Sequence, residues 1–184
     1  MRKAQSMFFH LLLVAILMQG VFSVAAKANP LPQAQAKKTA TPSEALLRSW
    51  NNAGRQLIEM AEDFPQDKYN FKPKPEVRTF AQQLLHVAGG NYYYMSLARG
   101  VKAEDEDPSE AKYKTKAGIV AVLKKSFADG AELIKQTGDT GIINNLGLWI
   151  GAVQHAGEHY GQLVVYYRLN GIVPPASRPR PKTS

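Results

Sequence analysis

His155 and His159 stand four residues apart in the stretch Gln154-His155-Ala156-Gly157-Glu158-His159-Tyr160-Gly161-Gln162-Leu163. On a helix that spacing stacks the two imidazoles on one face, one turn apart. Two imidazoles so placed can share a metal ion, for which histidine is the commonest ligand. Gln162 follows His159 by three residues and falls on the same face. His10 lies in the N-terminal segment, and the one remaining histidine, His86, lies in another helical pattern. Every histidine beyond the N-terminal segment therefore belongs to one candidate site. The face around the pair is apolar, with Leu148, Ala152, Val153, Leu163 and Tyr166. Unsatisfied polar groups are costly in such surroundings. Two readings follow. A metal with a third ligand satisfies the rings, or the rings are core histidines bonded to backbone carbonyls or to Glu158. The zinc-protease motif His-Glu-x-x-His is excluded, because Ala156 stands where its general base is required.

These side chains must be positioned by helices. Thr41-Pro42-Ser43-Glu44 reads as a helix start, with Thr41 as N-cap, Pro42 at the first position and Glu44 closing a capping box. Leu46, Trp50, Ala53, Leu57, Met60 and Phe64 then recur at steps of three and four, a core-facing stripe that Pro65 ends. The prolines of Lys72-Pro73-Lys74-Pro75 bias the next segment to extended backbone, and its aromatics are expected to pack over one end of the domain. Thr79-Phe80-Ala81-Gln82 is a second capping box. It opens a helix through Phe80, Leu84, Val87, Asn91 and Met95 that carries His86 and stops at Gly100. Gly90, one turn after His86, lets another helix or a ligand approach closely. Lys102 to Lys114, with Glu104-Asp105-Glu106-Asp107 at its middle, reads as a solvated loop. It lacks the alternating acids and glycine turn of a calcium loop. Thr115 caps a third helix that turns Val120, Leu123, Phe127, Ala131 and Ile134 inward. Gly138-Asp139-Thr140-Gly141 reads as a turn. A fourth helix runs from about Asn145 to Leu169, with Gly171 and Pro174-Pro175 closing it. No stretch alternates as a strand. Four amphipathic helices predict an all-α four-helix bundle.

The chain begins with Arg2 and Lys3, an apolar run from Met7 to Met18, and small residues to Ala28. That order is expected of a signal peptide over residues 1–28, with cleavage after Ala26 or Ala28. The expected organisation is then a flexible linker at 29–40, the bundle at 41–176 and a mobile basic tail at 177–184. The protein is expected outside the cytoplasm, secreted or periplasmic, as a monomer or homodimer with no membrane partner once processed. There is no cysteine, so a metal site has no thiolate ligand, unlike the Cys-rich structural zinc sites. The net charge of +8 is carried by the tails, because all 15 acidic residues lie between Glu44 and Glu158 and are balanced there by Lys and Arg. No basic face is left on the domain, and nucleic-acid binding is not expected. There is no glycine-rich phosphate loop and no Gly-x-Ser-x-Gly elbow.

His155-x-x-x-His159-x-Gly161-Gln162-Leu163-x-x-Tyr166-x-Arg168-x-x-Gly171-x-x-Pro174-Pro175 resembles the closing motif of the DinB/YfiT-like superfamily. The upstream Pro-x-Pro-Glu and the helix carrying Leu84-Leu85-His86-Val87-Ala88 resemble its second-helix pattern, so the resemblance covers about residues 43–176. It implies a four-helix bundle with a divalent metal, Zn, Ni, Fe or Mn, held by His86, His155 and His159. It further implies a metal-dependent hydrolase or thiol-dependent transferase acting on a small molecule. Three neutral imidazoles leave an open coordination position, as catalytic zinc sites do, where water is acidified and a substrate oxygen polarised. Tyr93 and Gln162 are the candidates to orient water or substrate. Glu158 points away from the His159 face. The alternatives are a non-catalytic bundle that binds a metal or small ligand, and a structural bundle with packed core histidines.

Overall fold

The computed structural model describes residues 39–103 and 107–179. The expected signal peptide and most of the linker lie outside the described residues. Four helices follow one another: α1 (Pro42–Asp63), α2 (Phe80–Ala98), α3 (Lys116–Asn144) and α4 (Leu146–Leu169), with short 3-10 turns at Gln66–Lys68 and Pro175–Ser177. No strand occurs among the described residues, and none of their helices is long and apolar enough to cross a membrane.

The helix starts form as their sequences dictate. Both capping boxes close reciprocally, Thr41 with Glu44 and Thr79 with Gln82, and the Thr115 hydroxyl accepts from the Gly118 amide. Each satisfies amide donors that a helix N-terminus leaves orphaned. The α1 stripe buries Leu46, Trp50, Leu57 and Met60, and Phe64 is buried just past the helix end. Burial of such side chains stabilises by roughly 1.5–3 kcal/mol each. Phe80, Leu84, Val87, Asn91 and Met95 of α2 are all buried, as are Val120, Leu123, Phe127 and Ile134 of α3, while Ala131 is half-buried. Gly130 of α3 lies directly under Trp50, whose Nε1–H donates to the Phe127 carbonyl at 2.8 Å. The segment between α1 and α2 packs its aromatics as expected. Tyr69 meets Phe80 edge-on at 5.2 Å, and Phe71 meets Tyr166 at 6.0 Å.

The neighbour order around the bundle is α1, α3, α2, α4. Lys116, at the start of α3, donates to the carbonyls of Glu62 and Phe64 at the end of α1. Near the other end of α3, Asp139 accepts from the Ser43 amide and hydroxyl at the start of α1. Helices α1 and α3 therefore run antiparallel. The connection from α2 to α3 must travel back along α2 to reach the start of α3, and this return carries residues 107–113 past the middle of α2.

Two expectations are corrected. The turn expected over Gly138-Asp139-Thr140-Gly141 is confined to a kink at its first residue. The backbone leaves helical geometry at Gly138 alone (φ 66°, ψ 174°) and resumes helix as far as Asn144, because the Asp139 carboxylate finds its partners on α1. Nor does the chain become a free tail at residue 177. Pro175–Ser177 form a 3-10 turn, and Arg178 makes a bidentate ion pair with Asp63 at 2.7 and 2.5 Å. That fork-to-fork geometry is what guanidinium and carboxylate favour, and it holds the Asp63 carboxyl below its ordinary range.

Candidate metal centre

Helix α2 contributes His86 and helix α4 contributes His155 and His159, and the three meet between those helices. One ligand atom from each lies within 4.8 Å of the other two. The His86 and His155 Nε2 atoms are 3.2 Å apart. Nitrogens bound at 2.0–2.1 Å to one tetrahedral ion stand at about that separation. The ring centroids lie 4.5–5.0 Å apart, each pair steeply inclined. The spacing of the pair on α4 and the histidine of α2 were legible in the sequence, and the fold brings all three together.

The atoms behind the rings set which nitrogen is free. The Asp107 carboxylate lies 2.8 Å from His86 Nδ1. It can only accept, so Nδ1 carries the proton and Nε2 presents a lone pair. His159 Nδ1 donates in the same way to Gln83 Oε1 at 2.8 Å, and Gln83 is itself oriented by the Tyr166 hydroxyl at 3.4 Å. Acceptors behind metal-binding imidazoles commonly fix the tautomer in this manner. His155 is seated differently. Its ring lies against Gly90, where an added Cβ would come within 2.3 Å of Cε1 and 2.8 Å of Nδ1. Tyr94 packs beside it at 6.1 Å. His155 Nδ1 is buried without a partner.

Burial lowers the pKa of His159 to about 4, helped by the neighbouring His155, His86 and Arg78 and weakly opposed by Gln162. His155 is lowered in turn, by burial first and then by His86. Neutral imidazole is the form that binds metal, and this environment keeps both rings in it near neutral pH. The donor set thus fits a divalent ion.

Among the other residues read from the sequence, Gln162 is exposed and lines a groove with Gln83 beside His159. Tyr93 packs edge-on to Tyr94 at 5.6 Å, and Tyr94 is the tyrosine that faces His155. Glu158 is exposed and accepts from Gln154. Gln83, Asp107 and Tyr94 escaped the sequence reading. Gln83 precedes His86 by three and shares its face, a signal that was present. Asp107 was hidden in an acidic run whose ordinary meaning is a solvated loop.

A comparison with protein-family models matches residues 49–163 to one model, described as DinB superfamily. A search of the curated proteins finds no match.

Proposed function

The chain belongs to the DinB superfamily, and from that premise we propose that it binds one divalent metal ion through His86, His155 and His159 and acts as a metal-dependent hydrolase or transferase on a small molecule. The observation that carries this reading is the convergence of three imidazoles on one point, two of them with their Nδ1 protons committed to Asp107 and Gln83. A divalent ion held by three neutral imidazoles supplies Lewis acidity without cancelling its charge. The chain's own part is positional. Asp107 and Gln83 hold the rings of His86 and His159 in one tautomer. Gly90 admits the ring of His155. Gln162 offers an amide group along the groove beside His159 that Gln83 also lines.

The test is His155→Ala. The variant is expected to lose metal and activity while keeping its helical circular dichroism, because the bundle buries a continuous core without the site. Metal-dependent folding is typical of domains too small for such a core. Loss of the helical signal in both His155→Ala and chelated wild-type protein would make the metal structural and remove the support for catalysis.

A further inference from the structure

We propose that Arg78, on the groove beside the three histidines, is a recognition residue for a monoanionic organic carboxylate with an apolar body. This inference rests on the metal-centre reading and names the substrate class of that same site.

The segment before α2 and the face of α4 enclose a groove of about 530 Å³. Gln83, whose amide holds His159, lines it, and so does Arg78. The Arg78 backbone is fixed, because its carbonyl accepts from the Tyr166 hydroxyl at 2.5 Å. Its side chain is 45% exposed, and its one ionic neighbour among the described residues is Asp107, at 3.6 Å. That separation is too long for a hydrogen bond, and a guanidinium carries five donors in a planar fork. The backbone that carries the fork is therefore fixed, and no protein hydrogen bond among the described residues engages the fork itself. It shares Asp107 with His86, which places it at the edge of the centre.

The charge balance selects the ligand. Three neutral ligands leave a divalent ion's charge uncompensated, and among the described residues the one carboxylate bonded to the cluster, Asp107, is shared between His86 and Arg78. An anion is the group such a site takes up. Planar, bidentate recognition of carboxylate is what arginine does best. Glu76 lines the same groove and disfavours a second negative charge, so a monoanion is preferred over a phosphate dianion. Val77 and Val165 supply apolar wall for the body of the ligand.

Benzoate is a suitable probe. The cobalt(II)-loaded full chain is titrated with benzoate, followed by visible absorption and by calorimetry, alongside Arg78→Met and Arg78→Lys. Saturable binding is expected. Arg78→Met should weaken it by about tenfold to a hundredfold, the worth of a charged hydrogen bond, with the cobalt spectrum and melting temperature unchanged. Arg78→Lys should fall between, and neutral benzamide should bind as weakly as benzoate binds Arg78→Met. Equal affinity in wild type and Arg78→Met, or a preference for inorganic phosphate or benzamide over benzoate, overturns the proposal while leaving the metal reading intact. Failure of the chain to take up cobalt overturns both.

Discussion

At the scale of single residues, the site depends on one absent side chain. The His155 ring occupies the space that a Cβ on Gly90 would fill. Gly90→Ala therefore sets two effects against each other. Alanine favours the helix by about 1 kcal/mol, yet it must push the imidazole from its seat. Metal affinity is expected to fall by about tenfold or more, as when groups supporting a ligand are changed, while the helical signal is retained. Competition with a chromophoric chelator measures this, and unchanged affinity would show that the ring has another seat. The histidines were legible because their number is small and their spacing is helical. Their supports were not. Asp107 reaches His86 from 21 residues away and Gln83 reaches His159 from 76, and such pairings are created by the packing of α2, its return connection and α4.

At the scale of elements, helix starts were the most legible feature, since a cap is a local bargain between neighbours in sequence. The break in α3 at Gly138 was legible too, as a turn, but the resumption of helix after it was not. Gly138, Asp139 and Gly141 carry the composition of a turn, and only tertiary contact shows that the chain stays helical past it. Gly138 adopts φ 66° and ψ 174°, a region open in practice to glycine alone. Gly138→Ala is expected to destabilise the bundle by about 1–3 kcal/mol, read as a lower denaturant midpoint at constant slope. A midpoint equal to that of wild type would mean that α3 relaxes to regular helix there and releases Asp139 from Ser43.

At the scale of the molecule, acid acts through the same rings that hold the metal. His159 titrates near 6.5 when unfolded and near 4 when folded, with burial as the main cause. The unfolded chain thus gains its proton first as pH falls. The metal-free protein is expected to keep its full stability above about pH 6.5 and to lose part of it progressively as pH falls towards 4. Metal shifts that loss to lower pH, and at neutral pH it raises the melting temperature by mass action. Thermal melts of chelated and loaded protein across pH 4–8 check this, and a chelated protein indifferent to that range would contradict the burial of His159. The four-helix class and its inward faces were readable from periodicity, but the neighbour order was not, because it depends on how far the α2–α3 connection must return. Trp50 and Trp149, the chain's two tryptophans, lie 6.1 Å apart at 90°, both buried in the core. Neither touches water. The protein should therefore emit as one shielded, short-wavelength fluorophore, and that light comes from α1 and α4 alone, whatever the first 38 residues are doing. A paramagnetic ion at His155 sits on the same helix as one of the two indoles, so its arrival can be watched as quenching.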